Sequence, residues 1–270
     1  MCTGFCFRYF DVSKSWYTYC MLELSALQLL IFSFFFAFGL LLFHNRFKKY
    51  LFSSILINVA CVVGAAILIT KPEEWALFII ASILNVLFDT AEVYRKKWQY
   101  NTESGYVYWA GLGWGFVTLI VKQLSTKISL PLLVVLALIT LGVILSRNKS
   151  ELNFSRYSKS TWLVFAVLAL FISPQLFLVS FFIGILFEFI AVEVLHSWSY
   201  SSPIFILVGI GYGTLMVVID VLLEMSQGQF SLVNVIFATG IIVFLARQYI
   251  LYFISKNKTK KQVNTKSKNK

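Results

Sequence analysis

Nine stretches of the chain are apolar for long enough to form helices in hydrocarbon: 23–43, 51–70, 75–94, 106–125, 129–146, 161–173, 175–195, 203–224 and 230–254. A bilayer core about 30 Å thick takes about 20 mostly apolar residues in a helix, which satisfies every backbone N–H and C=O within the segment. The sixth stretch is short, clipped by Ser173-Pro174, and the second ends in the same way just before Lys71-Pro72. Proline suits the first turn of a helix, where its missing N–H costs no hydrogen bond, so both prolines read as helix starts. The pattern predicts an all-α polytopic transmembrane bundle of about nine helices.

Composition agrees with that reading. The 270 residues are 59% hydrophobic and 13% charged, against about 45–50% and about 25% in soluble domains. The net charge of +11 is not spread as a nucleic-acid groove would need, because seven lysines fall in 256–270 and the others cluster in short gaps. Arg46, Lys48 and Lys49, then Arg95, Lys96 and Lys97, then Arg147, Lys149, Arg156 and Lys159 mark alternate gaps; the intervening ones at 71–74, 125–127, 173–175 and 224–229 hold few positive charges. Lysine and arginine accumulate on the cytoplasmic side of short loops. An odd number of spans then puts the N-terminus outside and the C-terminus inside, in a plasma or inner membrane, with the bilayer as partner and no nucleic acid. Cys2, Cys6, Cys20 and Cys61, with His44 and His196, have no metal-ligand spacing, so no metal site is expected, and no cofactor is indicated. Residues 1–22 lack the pattern of a signal peptide and read as a leader, with Met21 as an alternative start. Residues 255–270 read as a basic disordered tail.

The chain reads as internally duplicated. Phe88 to Gly115, FDTAEVYRKKWQYNTESGYVYWAGLGWG, returns in degraded form as Phe187 to Gly213, FEFIAVEVLHSWSYSSPIFILVGIGYG. Phe88-Asp89 answers to Phe187-Glu188, Trp98-x-Tyr100 to Trp198-x-Tyr200, and Gly113-Trp114-Gly115 to Gly211-Tyr212-Gly213. The division is a first four-helix repeat over 23–125, a second over 129–224, and a ninth helix over 230–254. Four spans per repeat is an even number, so the repeats are parallel, related by an axis along the membrane normal.

The candidate chemistry lies in ionisable groups inside apolar stretches. Asp89 and Glu92, three apart, share a helix face in the third span, and Glu188 and Glu193 hold a similar depth in the seventh. A charge at mid-helix costs about 2.5–3.5 kcal/mol on insertion scales, so such residues face a protein interior or cavity. They are candidate proton donors, with His196 as a weaker one; as a structural alternative, Asp89 and Glu188 tie helices together while Glu92 and Glu193 pair with Arg95 or His196 among headgroups. Trp98, Tyr100, Trp198 and Tyr200 read as an interfacial aromatic belt or as the lining of a pocket. Gly111 with Gly115 and Gly209 with Gly213 are small residues four apart, suited to close helix packing. At an offset of 98, Lys122 falls opposite Asp220, which suggests an ion pair between the fourth and eighth spans, with snorkelling of the lysine as the alternative.

Glu188, Trp198-Ser199-Tyr200, Pro203 and Gly211-Tyr212-Gly213 resemble a module of uncharacterised polytopic membrane proteins. More distantly, the segment is similar to the acid-containing helices of integral-membrane carotenoid hydratases and lycopene cyclases. The resemblance covers 187–213 and its copy at 88–115; proline is missing from the first copy, and Trp114 becomes Tyr212 in the second. It implies an enzyme that protonates an isoprenoid alkene, with Asp89 or Glu188 as the acid and an apolar lipid or isoprenoid as ligand. A transporter or non-catalytic scaffold with duplicated halves is the alternative class.

Overall fold

The computed structural model describes residues 25–47, 51–94, 98–102, 109–146, 162–200, 205–247 and 250. The leader over 1–22 and the tail over 255–270 lie outside them, as do Arg95, the basic cluster from Arg147 to Lys159, and Pro203. Among the described residues the helices are α1 (Ala26–Phe47), α2 (Leu51–Leu68), α3 (Pro72–Tyr94), α4 (Ala110–Lys127), α5 (Leu130–Ser146), α6 (Trp162–Ile172), α7 (Pro174–Phe189), α8 (Phe205–Ser226) and α9 (Leu232–Arg247). The fold is an all-α bundle. By length and apolar composition α1, α7 continued to Val194, and α8 are able to cross a membrane, while α2, α5, α6 and α9 are shorter apolar helices. Their outward faces carry exposed isoleucine, leucine, valine and phenylalanine, such as Phe171 and Leu138. That surface suits a membrane protein.

Local sequence sets the helix starts. Ser25 and Gln28 cap α1 reciprocally, each side chain taking the other's backbone N–H at 3.3 and 2.9 Å. The Glu74 carboxylate turns back to accept from the Thr70 and Lys71 backbone N–H groups at 2.6 and 3.3 Å, closing the first turn of α3 behind Pro72. Pro174 opens α7, as the sequence pattern indicates.

The bundle is built on two tight helix pairs, α3 with α4 and α7 with α8. Glycines allow the close approach: a Cβ on Gly115 would stand 2.7 Å from the Phe78 carbonyl oxygen, and one on Gly213 would stand 3.0 Å from that of Phe177. α2 lies against α4 and α6 against α8, while α4 meets α7 and α3 meets α8 across the centre. α1 packs on α2 and α4, and α5 packs on α7. α9 rests on α6, through Phe237 and Phe244 against Phe165 and Trp162.

One element departs from the all-helical expectation. The two Trp-x-Tyr segments are short strands, β1 (Trp98–Tyr100) and β2 (Trp198–Tyr200), that pair antiparallel with Trp98 opposite Tyr200, Gln99 opposite Ser199 and Tyr100 opposite Trp198. Residues 100 apart in sequence thus form a single ribbon joining the two ends of the bundle's core pairs. The chain enters β2 through a π-helical turn, Ile190–Val194. Such a turn absorbs one inserted residue: Asp89 lies 11 residues before Tyr100, whereas Glu188 lies 12 before Tyr200.

Candidate functional site

The ribbon brings the two buried acids, Asp89 and Glu188, to one place. Glu188, at the end of α7 and 2% exposed, accepts three hydrogen bonds: from Trp198 Nε1 at 2.8 Å, Tyr200 Oη at 2.7 Å and Tyr212 Oη at 2.5 Å. Asp89, near the end of α3 and also buried, accepts from Tyr100 Oη. The rings of Tyr100 and Trp198 meet edge to face with centroids 5.5 Å apart, so the two acid clusters touch through their aromatic partners. Glu188 is within electrostatic reach of Asp89. Burial first, and the neighbouring carboxylate second, push the Tyr100 and Tyr200 hydroxyls well above the usual phenol range. Both phenols therefore stay protonated and donate.

The remaining predicted residues distribute as follows. Glu193 and His196 are exposed, outside the buried cluster. His196 adopts φ 50, sets its Nδ1 2.9 Å from the Val192 carbonyl, and gives its own carbonyl to Asn101 Nδ2 at 2.5 Å. The side chains of Glu92 and Trp98 lie outside the described residues. Lys122 and Asp220 face one another across α4 and α8, with Nζ 2.6 Å from each carboxylate oxygen. One turn away, and at the same offset of 98, Thr118 Oγ1 reaches Met216 Sδ at 3.3 Å. Tyr100 and Trp198 are buried, and the hydroxyl or N–H of Tyr100, Trp198 and Tyr200 is spent on the acids.

Beside the ribbon lies an apolar cavity of about 560 Å³, walled by α1, α4, α5 and α7, within the usual range of about 300–1,000 Å³ for ligand sites. Tyr100, Trp109 and Trp198 line its ribbon end, and Leu30, Val121 and Leu132 its far end. Along α1 the lining runs from Leu30 to Leu41, a depth of about 16 Å at 1.5 Å per residue. Ile31, Phe34 and Phe35 of α1 and Val135 and Ile139 of α5 line the cavity and are also exposed. These exposed lining residues place its opening between α1 and α5, on an apolar face of the bundle. Polar atoms at the wall turn away from it: Trp109 Nε1 donates to His44 Nδ1 at 3.1 Å, Trp198 Nε1 to Glu188, and the Tyr100 hydroxyl to Asp89. Among the described residues the lining carries no charged side chain, and its ribbon end is aromatic ring. Asp89 and Glu188 are not among the residues that line the cavity. They converge one side chain behind its wall, because an apolar cavity gives a carboxyl no partner, whereas the ribbon's phenols and indole do.

Asp89, Glu188, Tyr100, Trp198 and Tyr200 came from the sequence; Tyr212, Trp109 and His44 did not. Tyr212 stood in the motif only as an aromatic between glycines, yet its alignment with Trp114 already marked it as a place where the second segment has a hydroxyl and the first does not. Comparison with protein-family models, with curated proteins and with solved structures returns no match.

Proposed function

We propose that this protein is a membrane-embedded lipid-modifying enzyme that admits an apolar chain, an isoprenoid by the resemblance above, sideways from the bilayer, and that its acid–tyrosine pairs exchange a proton with that chain. The observation that carries the reading is the cavity, which opens between α1 and α5 toward lipid and ends on the Tyr100 and Trp198 rings with the carboxyls directly behind them. Ring faces hold apolar chains and stabilise positive charge that develops on them. Protonation of an alkene would require the Tyr100 hydroxyl to leave Asp89 and turn toward the cavity; its proton would then pass to the alkene carbon and a carboxyl proton to the phenol oxygen, leaving a carboxylate and a carbocation beside the rings.

In this reading the two halves are copies of one four-helix unit, Asp89–Tyr100 and Glu188–Tyr200 being the same device twice, and all nine helices cross the membrane with the N-terminus outside. A transporter would instead need a polar path open to both aqueous faces. The test is lipid extraction and mass spectrometry from cells with and without the protein, and with Asp89→Asn and Glu188→Gln together. A lipid species that appears or disappears with the wild type and not with the double variant supports the proposal. Identical lipid profiles in all three would remove it.

A further inference from the structure

The depth at which the cavity opens decides which lipids can reach its inner end. α1 has 22 residues, about 33 Å at 1.5 Å per residue, which matches a hydrocarbon core about 30 Å thick. With α1 spanning the membrane, its midpoint between Phe36 and Ala37 lies at the bilayer midplane. The α1 residues that both line the cavity and are exposed are Ile31, Phe34 and Phe35, and the farthest of them is about 8 Å along the helix from that midpoint. On α5, Val135 and Ile139 lie within about 5 Å of the helix midpoint at Leu138. The opening therefore faces the chain ends of the lipids, away from either headgroup layer.

We infer that the occupant is a lipid with no polar headgroup, a long hydrocarbon taken up whole from the bilayer midplane. From the opening the lining continues along α1 from Phe35 to Leu41 at the ribbon end, about 9 Å further. A chain tethered to a headgroup uses about 15 Å, half the hydrocarbon core, to reach the midplane. It would then need the further length to meet the Tyr100 and Trp198 rings. Drawing the headgroup inward to supply that length would put it in hydrocarbon, and the cavity offers it no refuge. Among the described residues the lining has no charged side chain, and the Ser33 hydroxyl there donates to the Leu29 carbonyl. A polar group brought inside would lose water and gain no partner. A hydrocarbon has no headgroup to hold at the surface, so it collects at the depth where the cavity opens. This class rests on the lipid reading proposed above and narrows it, setting aside phospholipids and polyprenyl phosphates.

The experiment is photolabelling of the full wild-type chain in phosphatidylcholine nanodiscs that hold one of two diazirine lipids, with attachment sites mapped by peptide mass. One is a phosphatidylcholine with the diazirine at the end of an acyl chain; the other is an isoprenoid hydrocarbon without a headgroup. The hydrocarbon is expected to label Leu41 and Trp109 at the ribbon end of the cavity. The phosphatidylcholine should label Phe35, Val135 and the exposed Ile55 of α2, with several-fold less at Leu41 and Trp109. Unlabelled hydrocarbon should displace the ribbon-end labelling, and the same amount of a polyprenyl phosphate should not. Equal ribbon-end labelling by the two diazirine lipids, equal displacement by the polyprenyl phosphate, or no hydrocarbon at Leu41 and Trp109 overturns the inference. Labelling reads occupancy and not conversion. A chain that takes up the hydrocarbon while cell lipids stay unchanged loses the enzyme reading and keeps this one, and lipid conversion with phosphatidylcholine at the ribbon end does the reverse.

Discussion

Replacing Lys122 by methionine leaves Asp220 in a position only 7% exposed, with its cation gone. Removing one partner of a fully buried pair costs about 3–5 kcal/mol, most of it the stranded charge. The Lys122 side chain is 32% exposed, so solvent already screens the pair and the expected cost falls to about 2–3 kcal/mol. Asp220→Asn is cheaper, about 1 kcal/mol, because the lysine stem can carry its ammonium outward. The two changes are therefore unequal, and the double variant should be less damaged than their sum by about 1 kcal/mol or more, since neither leaves an unpaired charge once both are made. Thermal unfolding in detergent reads this as a larger drop for Lys122→Met, roughly 2–4 °C per kcal/mol for a chain of this size. Exchanging the two residues should restore part of the loss. Strict additivity, or an Asp220→Asn cost equal to that of Lys122→Met, would refute the reasoning.

Three further outcomes follow from the packing and the ribbon. Gly115→Leu should abolish folded protein in size-exclusion profiles, because the new side chain meets the Phe78 backbone 2.7 Å from its Cβ and a backbone cannot rotate aside, whereas Gly211→Ala, with nothing within 4 Å, should elute normally. Cysteines at Gln99 and Ser199, directly opposite in the ribbon, should oxidise to a disulfide visible by gel mobility after cleavage between the halves, since antiparallel partners lie about 4.5–5.5 Å apart and a disulfide spans about 4.4–6.8 Å; failure to cross-link would contradict the strand register. Tyr212→Phe deletes one donor to Glu188 without changing the ring, and should lower stability by about 1.5–3 kcal/mol; an unchanged melting temperature would show that this hydroxyl does not hold Glu188.

The helices were legible because a helix in hydrocarbon must be long and apolar, and runs such as 203–224 announce themselves without help from tertiary structure. The facing of Lys122 and Asp220 was legible for a different reason: an offset of 98 carried forward from the glycines of the two similar segments set them opposite one another. The ribbon was not. Three-residue strands are too short to show a period of two, and each one's partner lies 100 residues away. The π-turn was present in the sequence as a change of offset from 99 at Glu188 to 100 at Trp198, a single inserted residue that near-constant spacing concealed. The cavity had no sequence signature at all, because it arises where α1 packs on α4 and α5 on α7 without the two closing on each other. Residues such as Phe36 and Val117 read the same whether they face a void or a neighbour.

The most direct measurement is native mass spectrometry of the purified protein, wild type beside Val117→Trp, which fills the cavity from α4. Wild type is expected to carry one apolar lipid of defined mass that survives delipidating detergent, and Val117→Trp to lose it while retaining its fold. The same lipid on both proteins, or none on the wild type, would contradict the cavity as a lipid site.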